Sequence, residues 1–242
     1  MGERRSWLPA AVGGALIAVG LIGLGGAVSS GLVQFRAMER SVEVKGLAER
    51  EQPANLAIWP ITHADADNDL AALQARIEAK NAIVLDFLRK RGFDGAELSV
   101  VPPSFVDKLA REFGGEEGGR FRYTARTGIT VYTPKVDAVR AALAQVGELG
   151  RQGIAVTGGD PGMGAGVQFL YTGLNDIKPA MIEEATRNAR ETATRFAADS
   201  QSTLGKIRRA NQGQFSIEDR DASTPHIKKV RVVSTVEYYL QD

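Results

Sequence analysis

The sequence predicts an α+β protein. A single N-terminal transmembrane helix precedes a domain of mostly antiparallel sheet and long helices, in the order ββαββαββαββ. Three observations carry this. Residues 6–35, between Arg5 and Arg36, are thirty in a row without a charged side chain, more than the ~20 apolar helical residues that cross a ~30 Å hydrocarbon core. Two later stretches, 70–92 and 175–196, repeat apolar residues at three- and four-residue spacing, the period of an amphipathic helix. The stretches at both ends of the soluble part alternate apolar and polar side chains, the period of a half-buried strand.

Residues 6–35 divide the chain into a tail (1–5), an anchor (6–35) and a soluble domain (36–242). A cleavable signal peptide has a shorter apolar region of ~7–15 residues, so the length favours a retained anchor, although Ala27-Val28-Ser29 has the small-x-small form of a cleavage site. The short basic start, Arg4 and Arg5, is expected to stay in the cytoplasm while the soluble domain is exported. Ala11, Ala15, Gly23, Ala27 and Gly31 stripe the anchor at spacing that lets two helices approach in lipid, but small residues are common in anchors anyway.

Composition excludes several classes. The whole chain has 30 Lys and Arg against 29 Asp and Glu, and residues 1–35 hold only Glu3, Arg4 and Arg5 of these, so the soluble part is formally neutral. A neutral surface has no one-sign field for nucleic acid. With no cysteine there are no disulfides, thiolate nucleophiles or Cys-based metal sites.

In order, residues 41–46 read as a strand and 55–61 as a second, with Pro60 marking an edge position or a bulge because it cannot donate to a ladder. Leu70, Leu73, Ile77, Val84 and Leu88 line a helix that ends at Gly92. Residues 97–101 form a short strand stopped by Pro102-Pro103, and the glycine-rich stretch to residue 119 reads as a connection. Residues 120–133 are a long strand. Thr133-Pro134 opens a helix to about Leu149 on Val136, Val139, Leu143 and Val146. Brief strands come next at 154–156 and 167–171. Asn175 caps a second long helix, whose face Ile177, Met181, Ala185, Ala189, Ala193 and Phe196 is small enough to lie close against a sheet. Residues 206–217 and 228–240 close the domain as strands, the latter with Val230, Val232, Ser234, Val236 and Tyr238 on one face.

Several of these stretches together resemble one family. They are Val42-Glu43-Val44-Lys45-Gly46, Pro53-Ala54-Asn55-Leu56-Ala57, Phe121-Arg122-Tyr123-Thr124-Ala125, the helix from Glu184 to Ala193, Leu204-Gly205-Lys206-Ile207, and Val236-Glu237-Tyr238-Tyr239-Leu240. In this order and spacing, over residues 41–240, the chain resembles the SIMPL-domain family of bacterial envelope proteins. The resemblance implies a periplasmic α+β domain that assembles into rings or cages, and it implies no established catalytic residues. Trp59-Pro60 departs from the family's usual β-branched run, which puts the pairing of that strand in question.

Two motifs invite chemistry. His63-Ala64-Asp65-Ala66-Asp67-Asn68-Asp69 is the densest group of potential ligands, and Asp65, Asp67 and Asp69 mimic the opening of a calcium loop. Leu70 stands where that loop needs Gly, however, and Arg76 where it needs a bidentate Glu. Capping at a helix start, where unpaired N–H groups favour acidic side chains, is the simpler reading. Residues 157–166, rich in glycine, lack the Lys-Ser/Thr ending of a phosphate loop and lead into a strand, so they read as a hairpin connection.

The expectation is a membrane-anchored, non-enzymatic envelope protein of the bacterial inner membrane, crossing once, without a cofactor, its periplasmic domain self-assembling in a structural or stress-related role. Phe105, Leu109, Phe113 and Trp59 are candidate interface residues, and Tyr238-Tyr239 an aromatic pair suited to one. Phe105, Val106, Leu109 and Phe113 would line one face of a short helix. The rivals are an envelope metal-dependent hydrolase built on His63, Asp65 and Asp67, and a cleaved, soluble periplasmic binding protein.

Overall fold

The computed structural model describes residues 7–37, 40–110, 120–156 and 166–241. It is α+β with antiparallel pairing, as the periodicities predict, but its strands lie in two four-stranded sheets. The elements are α1 (Trp7–Ala37), β1 (Ser41–Pro53), β2 (Leu56–Asp67), α2 (Leu70–Arg89), β3 (Leu98–Asp107), β4 (Tyr123–Thr133), α3 (Val136–Leu143), α4 (Gly147–Arg151), β5 (Gln168–Leu170), α5 (Leu174–Asp199), β6 (Thr203–Gln212), β7 (Ser216–Asp219) and β8 (Ile227–Gln241). One sheet has the order β1-β8-β6 with β7 also on β8, and the other β3-β4-β2-β5.

The chain forms two compact units. One comprises Met1–Glu49, Lys178–Phe215 and Arg231–Asp242, the other Arg50–Ile177 and Ser216–Val230. α1 belongs to the first. Its stretch Val12–Gly31 is long and apolar enough to cross a membrane and buries none of that surface in the protein.

In the first unit α5 turns Met181, Ala185, Ala189, Ala193 and Ala197 inward. The predicted stripe therefore holds, except that its last member is Ala197 and Phe196 is exposed. Helical geometry explains the slip: four-residue steps from Ala185 lead to Ala197, and Phe196 falls on the adjoining flank. The alanine face meets β1 at Gly46, where a Cβ would lie 1.8 Å from the Ala185 carbonyl oxygen and 2.5 Å from the Ala189 nitrogen. The core is correspondingly thin: Val44, Ala189, Ala193, Val236 and Tyr238.

In the second unit α2 lies over β2 and β4. Its core is bulky, with Trp59, Ile61, Val84, Phe87, Leu88, Phe93, Ile129, Val131 and Leu149 among its members. α2 begins at Asp69, whose carboxylate accepts from the Ala71 and Ala72 amides, and it ends before Gly92, which has φ +83°. Only glycine adopts that conformation without steric cost.

Several boundaries differ from expectation. β1 extends to Pro53 and β2 to Asp67, because inward positions continue the period of two with His63, Asp65 and Asp67 in place of apolar residues. β2 pairs with β4 in unbroken register from Ala57 to Asp67, so Trp59-Pro60 does not disturb it. Pro60 forms no bulge; it lies beyond Ile58, where the pairing of β2 with β5 stops. β3 runs through Pro102-Pro103 with a register shift between Val101 and Ser104. An edge strand tolerates proline, since one side of it makes no ladder bonds.

The helix predicted from Thr133 to Leu149 is two. Three-residue bonds at Gln145 and Val146 end α3, and α4 starts at Gly147. Thr133 Oγ1 still accepts from the Lys135 amide at that end, 3.1 Å. Residues 154–156 form no strand, although Ile154 is buried. Asn175 lies inside the first turn of α5 instead of capping it. The strand predicted at 206–217 divides into β6 and β7 around Gly213, whose amide donates to the Val233 carbonyl at 2.8 Å. The observed order is thus ββαββααβαβββ after α1.

Candidate functional site

Every second residue at the end of β2, namely Ile61, His63, Asp65 and Asp67, turns toward α2, and the row passes from apolar to acidic. Opposite them on α2, Arg76, Lys80 and Asn81 supply the matching polar groups. Arg76 Nε donates to Asp65 Oδ2 at 3.1 Å, its Nη1 to Asp67, and its Nη2 to the Ala66 carbonyl at 3.0 Å. Lys80 Nζ stands 2.9 Å from Asp65 Oδ2. Burial opposes ionisation of Asp65, but the bonds from Lys80, Arg76 and the Ala66 amide outweigh it and bring its pKa down to about 2. Asp67 is likewise held below the usual carboxylate range, first by the Asp69 amide and then by Arg76.

His63 is 1% exposed. Its Nε2 lies 3.0 Å from Asn81 Oδ1. Asn81 Nδ2 in turn faces Thr127 Oγ1 at 3.5 Å, and Thr127 Oγ1 donates to the Val101 carbonyl at 2.7 Å. These contacts have one consistent direction. Since the hydroxyl donates to Val101, it accepts from the amide of Asn81, whose oxygen then accepts a proton from Nε2. His63 Nδ1 is left as a buried lone pair without a partner. Desolvation lowers the pKa of His63, Lys80 nearby adds to the effect, and Asn81 and Asp65 oppose it.

The acidic motif therefore has separate duties. Asp65 and Asp67 are strand residues paired to α2, and only Asp69 caps the helix. Among the described residues no three His, Cys, Asp or Glu side chains gather closely enough to hold a metal ion. The structure brings His63, Asp65 and Asp67 onto one strand face, but turns the carboxylates to cations and seals the ring from solvent. Lys80, Asn81 and Thr127 are not singled out by the sequence motifs, and Arg76 enters them only as the residue that stands where a calcium loop needs Glu. Asn81 carries a signal, being a polar residue four after Ile77 and three before Val84 on an otherwise apolar stripe.

The second feature is β3, which has no strand on its outer side among the described residues. Val100 pairs with Ile129 and Phe105 with Ala125, which places both on the face that α2 covers over β4. At the edge they are 49% and 36% exposed, and Leu109 just beyond is 75% exposed. Phe105 and Val106 are adjacent strand residues on opposite faces, so the short helix expected there does not form. Phe113, and residues 157–165 of the glycine-rich stretch, lie outside the described residues. Trp59 is 3% exposed in the core, and Tyr238 is also buried, so neither presents its ring to a neighbour.

A family model described as SIMPL, protein of unknown function (DUF541), matches residues 42–238. The chain belongs to the SIMPL family. The match begins at the second residue of β1 and ends within β8, so it takes in parts of both compact units. The polar cluster on β2 and the β3 edge are thus parts of the SIMPL domain itself, while α1 precedes it. A search of curated proteins found no match.

Proposed function

We infer that this is a single-pass, membrane-anchored protein of the bacterial cell envelope whose periplasmic SIMPL domain self-assembles into a closed ring or cage, with a structural or stress-related role and without catalysis. The observation that carries this reading is the β3 edge. A strand with one free side and exposed Val100, Phe105 and Leu109 is costly to leave in water, at ~25 cal/mol per Å² of apolar surface. Pro102, Pro103 and the register shift restrict continuous strand pairing there. A second copy therefore packs mainly through side chains on either side of the shift. The anchor supports the reading further, since α1 offers a span of 20 residues and continues to Ala37.

Light scattering coupled to size-exclusion chromatography tests assembly on the detergent-extracted full chain. A closed oligomer at micromolar concentration is expected, and Phe105→Glu with Leu109→Glu should reduce it to monomer. A wild-type monomer overturns the reading of assembly. Intact mass of the membrane-extracted protein tests the anchor, with residues 1–35 expected to be present.

A further inference from the structure

The buried polar chain that starts at His63 ends on the backbone of the free edge strand, at the point where that strand is irregular. Val101 is the last residue of β3 before the register shift, and the following two residues are prolines without N–H groups. The Val101 carbonyl also accepts from a side chain, Thr127 Oγ1, at 2.7 Å. Thr127 is the cross-strand neighbour of His63 on β4, and Asn81 of α2 bridges the two.

We propose that His63, Asn81 and Thr127 form a proton-sensitive latch that holds the β3 edge at its bulge, closed while His63 is neutral and released when the ring takes a second proton. The geometry makes the two states different in kind. Neutral His63 with its proton on Nε2 satisfies Asn81, and every donor in the chain points toward Val101. A second proton must sit on Nδ1, which has no acceptor within the buried site. Of the charged groups around it only Asp65 favours the cation, and it is already committed. On β2, Asp65 is engaged by Arg76 and Lys80; on α2, Lys80 repels a cation; on β4, the neighbours Ala125, Thr127 and Ile129 do not titrate. The cation is relieved by moving toward water or toward Asp65, and either movement withdraws Nε2 from Asn81. Asn81 and then Thr127 lose their fixed orientation, and Val101 loses its side-chain donor. Burial places the change on the acid side of the ordinary histidine pKa.

The latch does not depend on assembly, and its test reads local opening directly. Amide hydrogen exchange, corrected for the intrinsic effect of pH, is followed on peptides from residues 98–107 in the detergent-solubilised full chain, at about pH 7.5 and about pH 5. For the wild type, protection of β3 is expected to fall about tenfold in acid, while the Leu98–Val131 end of the β4 ladder changes less. His63→Gln keeps a donor for Asn81 and cannot titrate, so its β3 protection should be indifferent to pH. Asn81→Asp removes the amide donor to Thr127 and should leave β3 poorly protected at both pH values. The His63 ring titration, read by NMR on the wild type alone, should match the midpoint of β3 opening. Unchanged wild-type protection, the same fall in His63→Gln, or a ring titration unrelated to β3 exchange would each overturn the proposal.

Discussion

The two compact units solve the packing of helix on sheet in opposite ways. Around α5 the contact is made of alanine, and β1 answers with Gly46, so the backbones come so close that no Cβ fits. Around α2 the contact is made of Trp59, Phe87, Leu88 and Ile129, and large side chains hold the layers apart. The distance between packed elements is set by the side chains at the contact. A core of small residues has little apolar area to lose but no room to gain, and a core of large residues is the reverse.

Truncation and enlargement should therefore have opposite rankings in the two units. Trp59→Ala in the bulky core should cost about 3–5 kcal/mol, from lost burial and the cavity left behind. The comparable truncation in the alanine core, Ala189→Gly, should cost only about 1 kcal/mol, chiefly helix propensity. Urea unfolding of both variants checks this, and equal losses would break the contrast. Gly46→Ala adds one methyl against the Ala185 carbonyl and should cost at least the upper part of the roughly 1–3 kcal/mol typical of overpacking. An equal addition to a bulky core, Val84→Ile, should cost less, because neighbouring side chains can shift where a backbone carbonyl cannot.

The bulky unit extends its core into charge, and this gives smaller, pH-dependent effects. Asp65→Asn should lose about 1–2 kcal/mol at neutral pH, since the ion pairs with Lys80 and Arg76 are partly buried. The native carboxyl is depressed from 3.8 to about 2, so its contribution is full above 3.8 and disappears as pH falls through about 2. Wild type and variant should converge there. His63 is also depressed in the folded protein, from 6.5, so the unfolded chain takes up its proton first. Its contribution is full above 6.5 and declines as pH falls below that value, and His63→Gln should flatten this part of the stability profile. A wild-type profile that is flat from neutral pH to about pH 5 would show that burial does not hold the ring neutral.

Much of the molecule is legible in the sequence because periodicity is local. The apolar helix, the stripes of α2 and α5, and the alternation of β1 and β8 all arise from the side-chain geometry of a single element. The family resemblance rests on the same kind of local stretch, and the match over residues 42–238 confirms it. The end of β2 is misleading for a physical reason. Acidic residues before a helix signal a cap, and nothing within residues 63–69 reveals that Arg76 and Lys80, on the next element, make those residues acceptable on an inward strand face.

The sequence by itself determined the elements, their class, the long uncharged span and the small-residue character of α5, since each depends on neighbours within a few residues. Tertiary structure alone decided that the strands divide between two sheets and that β3 is a free edge able to run through two prolines. It also decided that His63, Asn81, Thr127 and Val101 form one chain. Those four residues come from four different elements, β2, α2, β4 and β3, and no local pattern encodes a contact that exists only once the sheet has formed.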